Sequence, residues 1–232
     1  MTAVLEAVGV RKVYAEVDGR PVEVLSGVDL AVARGEFVAI VGASGAGKST
    51  LLHLLGALDT PTAGHVALAG QRYDTLDAAA LAALRNRQVG FVFQFHHLLR
   101  EFSALENVML PLQIAGIAEE EARRRATALL ERVGLGARLA HRPAQLSGGE
   151  QQRTAVARAL AADPVVVLAD EPSGNLDAPN AAKLHALFQE LARQFETALV
   201  CVTHNPQLAA RADRVLAMEE GRLVPARAEA WH

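Results

Sequence analysis

The fold of this chain is decided by the stretch Gly42-Ala43-Ser44-Gly45-Ala46-Gly47-Lys48-Ser49-Thr50. Its pattern, G-x-x-x-x-G-K-S, predicts a phosphate-binding loop, because glycines let successive backbone N–H groups face one anion. Lys48 is a cation that reaches the outer phosphates, and Ser49 offers a hydroxyl ligand to Mg²⁺. The apolar residues 36–41 predict a strand before the loop. The leucine-rich residues 51–55 predict a helix after it, whose N-terminus faces the anion.

A second informative stretch is Leu146-Ser147-Gly148-Gly149-Glu150. Ser147 and Glu150 form the pattern S-x-x-E, which predicts a helix capping box. The box does not explain the paired glycines, since each glycine within a helix costs about 1 kcal/mol relative to alanine. Bare backbone N–H groups at a helix N-terminus explain them, so the stretch predicts another anion site.

Two acidic residues, Asp170 and Glu171, end the apolar run that begins at Val165. Such a run predicts a strand buried on both faces, and its C-terminal end lies where α/β sheets bind ligands. Asp170 suits Mg²⁺, directly or through water, and Glu171 suits a general base that deprotonates an attacking water. A helix cap explains the two acids less well, because Pro172 follows at once.

Three further side chains stand at the ends of predicted strands. Gln94 suits Mg²⁺ or an attacking water through its amide oxygen, and its alternative is an ordinary loop residue. His204 suits a hydrogen bond to a γ-phosphate or to the water, and its alternative is a structural histidine. Tyr14 suits stacking on a purine, and its alternative is a half-buried tyrosine on a strand edge.

The apolar connector, defined as Phe95-His96-His97-Leu98-Leu99, follows Gln94. A metal site is one interpretation of its two histidines, but adjacent histidines point in different directions, and no Cys or carboxylate cluster accompanies them. An exposed apolar patch that contacts a partner is the favoured interpretation. A helix then begins near Ser103, and Pro111 is expected to kink or end it.

Elsewhere the pattern predicts strands over residues 2–13 and 22–32, joined by a turn at Asp18-Gly19. Asp77 is predicted to cap a helix. Residues 119–133 predict another helix, in which Arg123-Arg124-Arg125 forms a solvated face rather than a phosphate site, because three glutamates precede it by one turn. A last strand, 214–218, is followed by a short tail.

Composition restricts the classes of function. A net charge of −3 over 232 residues argues against an electrostatic nucleic-acid binder. No apolar run approaches the roughly 18 residues that a membrane span requires, and the N-terminus lacks the pattern of a secretory signal. Cys201 is the single cysteine and lies in an apolar run, so we expect a buried residue, no disulfide within the chain, and a reducing compartment.

Taken together, residues 42–50, 146–150 and 165–171 resemble the nucleotide-binding subunit of an ABC transporter over nearly the whole chain. The resemblance implies an α/β fold with a P-loop core and a mainly parallel sheet. It also implies an antiparallel β subdomain and an α-helical subdomain at about residues 95–160, within a single ATP-binding domain of residues 1–232. The implied activity is ATP hydrolysis, with ATP and Mg²⁺ bound by a head-to-tail homodimer that drives a membrane permease.

The resemblance also assigns site residues. Those that it implies for catalysis are Glu171 and His204. Those for ATP are Tyr14, Gly42, Ala43, Ser44, Gly45, Ala46, Gly47, Lys48, Ser49, Thr50 and Gln94. Those for the ATP of the second copy are Ser147, Gly148, Gly149, Glu150 and Asp177. Those for the metal are Ser49, Gln94 and Asp170. Glu150 departs from the glutamine that is commonest in the family, and the capping box is expected to turn its charge away from the nucleotide.

A narrower resemblance, to the ATPase of lipoprotein-releasing Lol transporters, rests on Phe93 to Leu99, on Phe102 to Val108 with Pro111-Leu112, and on Ala169 to Asp177. The signature stretch with Glu150 belongs to the same resemblance. It implies lipoprotein release from the inner membrane and permease contact near Gln94, Phe95, Leu98 and Leu99. The chain is then peripheral at the cytoplasmic face, with no span of its own and no nucleic-acid partner. Macrolide-export and cell-division ATPases of the same branch are the alternatives.

Three rival classes of function stay open. A soluble ABC-fold ATPase of DNA repair or translation typically carries coiled coils, zinc modules or a second cassette, and the sequence shows none of these. A clamp that signals to a cell-wall or division partner would have the same ATP site, so that only the partner discriminates it. A P-loop kinase is the most distant, because it leaves the Leu-Ser-Gly-Gly element unexplained.

Overall fold

The computed structural model describes residues 3–15 and 19–226, with residues 191–195 described by their backbone alone. The strands are β1 (Ala3–Ala15), β2 (Pro21–Ala33), β3 (Phe37–Val41), β4 (Ala63–Leu68), β5 (Gln71–Arg72), β6 (Val89–Phe93), β7 (Val166–Asp170), β8 (Ala198–Val202), β9 (Arg214–Glu219) and β10 (Arg222–Pro225). The α-helices are α1 (Lys48–Leu55), α2 (Ala78–Gln88), α3 (Ala104–Ile114), α4 (Glu119–Arg132), α5 (Gly148–Leu160), α6 (Ala178–Phe195) and α7 (Pro206–Ala209).

The strands form two sheets. The smaller sheet is antiparallel, with the order β2-β1-β4-β5. The larger has the order β10-β9-β3-β8-β7-β6, in which only the pair of β10 and β9 is antiparallel. The predicted α/β class, with a mainly parallel sheet and an antiparallel one, is confirmed. The C-terminal ends of β3, β6, β7 and β8 meet at one edge, where the site residues lie.

Helix α1 lies between the two sheets and ties them together. Its leucines Leu51 and Leu55 are buried in one core with Leu5 of β1, Leu25 of β2 and Val200 of β8. This burial holds the N-terminus of α1 at the end of β3. The other face of the large sheet is covered by α5 and α6, and α3, α4 and α5 share a core of their own.

Most of the predicted elements are confirmed, and two predictions need correction. Helix α3 begins after Ser103 but does not end at Pro111; it continues to Ile114, because the proline falls near its last turn and the buried Leu112 holds that turn against the core. The predicted tail contains β10. It pairs with β9 through Glu220 and Gly221, whose φ values of 47° and 74° suit a two-residue hairpin turn. Asp18 of the first predicted turn lies outside the described residues.

Several expectations about side chains are also settled. Arg123 pairs with Glu119, and Arg125 with Glu121, so the arginine run is a solvated helix face, as predicted. Cys201 is fully buried, and burial raises the pKa of its thiol, which disfavours a reactive thiolate. Among the helices of the described residues, none combines the length and apolar character that crossing a membrane requires.

Candidate functional site

The glycine-rich loop between β3 and α1 forms one wall of a cleft of about 620 Å³. Gly47 precedes α1 with a φ of 100°, and a Cβ there would lie 2.9 Å from the carbonyl oxygen of Val24. The loop therefore needs glycine both for its backbone conformation and for its close packing. No side chain caps α1, so the N–H groups of its first turn remain available to an anion.

Lys48, the first residue of α1, supplies the cation of the cleft. Its Nζ donates to the carbonyl oxygens of Gly42 and Ala43, both at 2.8 Å. An ammonium group has three donors, so one remains for a phosphate after these two bonds. The loop and its lysine thus form a cradle of backbone N–H groups with a positive charge at its rim.

Polar side chains reach this cleft from the ends of three parallel strands. Gln94 follows β6, Asp170 ends β7, and His204 lies two residues beyond β8. The cleft is lined by Val24, Gly42, Ser44, Gly45, Gly47, Lys48, Ser49, Thr50, Gln94, Asp170, Glu171, Val202 and His204. The structure therefore brings together, in one cleft, residues that are separated by up to 180 positions in the sequence.

Glu171 and His204 form a pair at the far wall of the cleft. Glu171 Oε1 lies 2.8 Å from His204 Nδ1, and Glu171 Oε2 accepts from the backbone N–H of His204 at 3.2 Å. Glu171 has a φ of 45°, a left-handed conformation that costs about 1–3 kcal/mol in a non-glycine residue. Its N–H donates to the carbonyl of Val202, and its carbonyl accepts from Gly174. The backbone thus holds a carboxylate in a fixed orientation toward the cleft.

Gln94 is held by Asn175, a residue for which the sequence predicts no role. Gln94 Nε2 donates to Asn175 Oδ1 at 3.1 Å, and Asn175 Nδ2 donates to the carbonyl of Gln94 at 3.2 Å. The pair leaves Gln94 Oε1 free of this contact, in the same cleft as Ser49 and Asp170. Asn175 follows β7, the strand that pairs with β6, and Gln94 follows β6. The adjacency of these two strand ends is the signal that could have indicated a role for Asn175.

The cation-binding potential of the cleft rests on oxygen donors. A hydroxyl, an amide oxygen and a carboxylate, from Ser49, Gln94 and Asp170, are the ligand types that Mg²⁺ prefers. Within residues 3–15 and 19–226, no group of three or more His, Cys, Asp and Glu side chains could hold a metal ion. Ser49, Gln94 and Asp170 are thus the candidate ligands for Mg²⁺ in this cleft.

Tyr14 lies beside the cleft and does not line it. Its hydroxyl donates to Asp59 Oδ2 at 2.7 Å, and Lys12 Nζ lies 4.7 Å from the centre of its ring. Partial burial and the Asp59 carboxylate raise the pKa of Tyr14. The residue remains 39% exposed, so stacking of the ring on a purine stays a prediction.

The second glycine-containing stretch lies outside this cleft, at the N-terminus of α5. The predicted capping box is confirmed: Ser147 Oγ accepts from the N–H of Glu150 at 3.3 Å, and Glu150 Oε2 accepts from the N–H of Ser147 at 2.8 Å. The Ser147 N–H and the Arg138 guanidinium lower the pKa of Glu150 to about 2. Glu150 is therefore a paired carboxylate turned back toward its own helix.

The two glycines of this stretch have different surroundings. A Cβ on Gly148 would meet nothing within 4 Å, whereas a Cβ on Gly149 would lie 2.7 Å from Asn180 Oδ1. Close packing against α6 is therefore a second reason for glycine at position 149, and the role of both glycines as anion donors stays a prediction. Asp177 caps α6 by accepting from the N–H of Asn180 at 3.0 Å.

An apolar groove of about 480 Å³ lies behind the end of β6. Its lining includes Leu58, Phe91, Phe93, Pro111 and Ile114. Arg158, which also lines the groove, donates to the carbonyls of His96 and His97 at 2.8 and 2.7 Å, so that the apolar connector forms the border of the groove.

Within the connector, Phe95 is 66% exposed and Leu99 is 41% exposed, while Leu98 is half-buried. The buried Asn107 fixes its end, because Asn107 Oδ1 accepts from the N–H of Leu99 at 2.8 Å and Nδ2 donates to the Leu99 carbonyl. His96 contacts the carbonyl of Gly148 and His97 the ring of Phe93, so the two histidines do not converge. The exposed apolar surface is thus part of a fixed framework.

Comparisons with protein families and with known proteins agree on one family. The model of the ABC transporter family matches residues 25–174. The lipoprotein-releasing system ATP-binding protein LolD of Legionella pneumophila (strain Paris) is 57% identical over 202 residues, which cover 87% of this chain and 89% of that protein. The protein of the same name from Pseudomonas syringae pv. tomato is 56% identical over 224 residues, which cover 97% of this chain and 98% of that protein.

Solved structures agree with this result. The ATP-binding cassette MJ0796, a dimer in a post-hydrolysis state bound to ADP and Pi, superimposes with a TM-score of 0.87. It is 38% identical in sequence, over 94% of this chain and 96% of that one. A family match over more than half of the chain and relatives above 50% identity lead to one conclusion: the chain belongs to the ABC transporter family of ATPases.

Proposed function

We propose that this chain is the ATP-hydrolysing subunit of a transporter that releases lipoproteins from the inner membrane. The single observation that carries the activity is the cleft in which Lys48 and the loop N–H groups face the Glu171–His204 pair. The cargo is inferred from the 56–57% identity to lipoprotein-releasing ATP-binding proteins over nearly the whole chain. Residues 1–232 are then a single ATP-binding domain, with a helical subdomain at about residues 95–160.

In the proposed reaction, residues 42–50 bind the phosphates of ATP, and Tyr14 stacks on the adenine. Glu171 accepts a proton from the water that attacks the γ-phosphate, and its orientation by His204 and the backbone keeps it aimed into the cleft. His204 is itself 72% exposed in its side chain and donates to the γ-phosphate or the water. Lys48 balances the negative charge on the phosphates.

Ser49, Gln94 and Asp170 would hold Mg²⁺ beside the phosphates, because their oxygens are the donors that this ion prefers. The ion supplies charge neutralisation of the phosphate oxygens when it is bound. Gln94 is prepared for this role, because Asn175 occupies its Nε2 and leaves Oε1 outside the pair. This arrangement supports ATP and Mg²⁺ as the two ligands.

A second copy of the chain completes the site. Ser147, Gly148, Gly149, Glu150 and Asp177 do not line the cleft of their own chain. In a head-to-tail dimer, the exposed N-terminus of α5 in one copy faces the ATP held by the other. The open space around Gly148 supports this arrangement, since phosphate oxygens can approach its backbone.

The apolar groove and its connector are the proposed docking surface for the membrane permease. Phe93 contributes to the groove, and the next residue, Gln94, lines the nucleotide cleft, so that one strand end touches both sites. Dimer closure on ATP would therefore move the docked permease. The chain is peripheral at the cytoplasmic face of the membrane, and it contacts the permease near Gln94, Phe95, Leu98 and Leu99.

The test is ATP-driven release of lipoproteins from vesicles that contain this chain and the permease subunits with which it co-purifies from its native membranes. We expect release with the native chain and none with Glu171→Gln, which still binds ATP. A complex that hydrolyses ATP but releases no lipoprotein, and that co-purifies with an outer-membrane channel or with division proteins, would contradict lipoprotein release. Loss of ATP hydrolysis in every complex would contradict the activity itself.

A further inference from the structure

Glu150 lies in the first turn of α5, the helix end that the dimer proposed above places next to the phosphates of a second ATP. Glu150 Oε2 accepts from the backbone N–H and the hydroxyl of Ser147, at 2.8 and 2.9 Å. Glu150 Oε1 accepts from Arg138 Nε at 3.0 Å. These contacts tie the carboxylate to the N-cap residue of its own helix and to Arg138.

Arg138 comes from a separate element, the 3₁₀ turn Gly136–Arg138 that follows α4. The backbone of this turn is fixed, because the Arg138 N–H donates to the Leu135 carbonyl at 2.8 Å and the Arg138 carbonyl accepts from His141 at 2.9 Å. The His141 carbonyl accepts in turn from Ala104, the first residue of α3. The guanidinium is thus presented to Glu150 by a turn that backbone hydrogen bonds connect to the start of α3.

The ion pair of Arg138 and Glu150 adds little to the stability of the folded chain. The Arg138 side chain is 45% exposed and that of Glu150 is 20% exposed. Ion pairs at such exposed positions contribute little to the stability of a folded chain, because solvent screens them. The same pair has a larger effect on an approaching triphosphate, because an unpaired carboxylate beside it would repel each of its negative charges.

We propose, on the basis of the head-to-tail dimer inferred above, that Arg138 is a positioning residue of the ATP site in the partner copy. It holds the Glu150 carboxylate against Ser147 and offsets its charge. The N–H groups of Gly148 and Gly149 lie outside the capping box, and this arrangement leaves the helix end electrically favourable for the phosphates bound by the other copy. Arg138 thereby allows a glutamate at position 150 without repulsion of the phosphates.

The experiment measures ATP-dependent dimerisation of the Glu171→Gln chain by sedimentation, at about 50 mM and about 500 mM salt. We expect Arg138→Gln to weaken dimerisation about 10-fold at the lower salt concentration. At the higher concentration the loss shrinks to about twofold or less, since the Debye length there is only about 4 Å. ATP affinity of the single copy stays unchanged, because Arg138 does not line its cleft.

Two control variants separate this role from a general loss of charge or of folding. Arg124→Gln removes one cation from the exposed face of α4, where Arg124 pairs with Glu121, and we expect it to leave dimerisation unchanged. Arg138→Lys keeps the charge and is expected to restore most of the affinity. The thermal unfolding midpoint of each variant verifies that the chain folds.

The decisive variant combines Arg138→Gln with Glu150→Gln. If Arg138 acts by holding Glu150, the double variant dimerises within about twofold of Glu150→Gln alone. An equal loss from Arg138→Gln in both backgrounds, or no loss at low salt, would overturn the proposal. Failure of the Glu171→Gln parent to dimerise with ATP would instead overturn the dimer itself, and the inference with it.

Discussion

The N-termini of α1 and α5 both follow glycine-containing stretches, yet they are built differently. Helix α1 has no side-chain cap, and its first turn lies in a cleft beside Lys48. Helix α5 has a complete capping box formed by Ser147 and Glu150, and its tip lies outside that cleft. The cation beside it, Arg138, is already paired with Glu150.

In the proposed dimer, this difference makes the N-terminus of α1 a whole anion site and the N-terminus of α5 half of one. A bare helix end with its own lysine has donors and charge enough to bind phosphate within one chain. At the capped end, the N–H of Glu150 already donates to Ser147, and the N–H groups of the two glycines are outside the capping box. We expect such an end to bind an anion weakly by itself and to suit an anion that another element already holds.

Among the variants that test this comparison, Glu171→Gln is expected to have the largest effect on ATP turnover, because it removes the proposed base from the cleft beside α1. We expect ATP turnover to fall about 10²- to 10⁴-fold, the usual contribution of a general base, with ATP affinity retained. Phosphate release and calorimetric titration measure the two quantities, and Glu120→Gln, on the exposed end of α4, is the matched control. Turnover near that of the native chain would remove Glu171 from the chemistry.

Lys48→Ala tests whether the α1 end binds phosphate by itself. Hydrogen bonds to charged groups contribute about 1.5–3 kcal/mol, so we expect ATP affinity of the single copy to fall about 10- to 100-fold. Lys183→Ala removes an exposed lysine on α6 and should leave the affinity unchanged. If Lys48→Ala bound ATP normally, the contrast with α5 would lose its basis.

The two glycines of α5 sharpen the comparison, since they have different surroundings. Gly149→Ala places a Cβ 2.7 Å from Asn180 Oδ1 and is expected to lower the free energy of unfolding by about 1–3 kcal/mol. Gly148→Ala meets open space, so it should not lower the free energy of unfolding, and it should weaken ATP-dependent dimerisation. Urea unfolding and sedimentation measure the two effects. Equal destabilisation by both variants would contradict this assignment.

The smallest effect is the pH dependence that Glu150 contributes. Its pKa is lowered from 4.5 to about 2 in the folded chain, so its charged form stabilises the fold. That contribution is fully present above about pH 4.5 and is lost as the pH falls through about 2. We expect Glu150→Gln to be less stable than the native chain at pH 7, with the difference shrinking below pH 4.5. A difference that is constant with pH in urea unfolding would contradict the pairing.

Much of the site was predictable because its signals are local. The strand, loop and helix around residues 42–50 follow from glycine spacing and from the composition on either side. The capping boxes and caps at Ser147 and Asp77 require only residues three positions apart. Placement of Gln94, Asp170 and His204 at strand ends follows from apolar runs, and parallel strands then bring these ends to one edge.

The parts that were not predictable depend on contacts between distant elements. Asn175 is hydrogen-bonded to Gln94, although 81 positions separate the two residues. Asn180, on the next helix, leaves no room for a side chain at Gly149. The hairpin of β9 and β10 escaped prediction because Glu220 adopts a positive φ that its residue type does not favour. Pro111 lies within α3 because the buried core around Leu112 outweighs the cost of the lost N–H.

The sequence by itself determined the α/β class, the phosphate loop, the capped helix at Ser147 and the acidic strand end, because each depends on residue type and short spacing. Only the tertiary structure decided that Glu171 contacts His204, that Arg138 pairs with Glu150, and that the apolar connector borders a groove. These contacts join side chains from separate elements, and their geometry depends on how helices and sheets pack. Spacing along the chain carries no record of that packing.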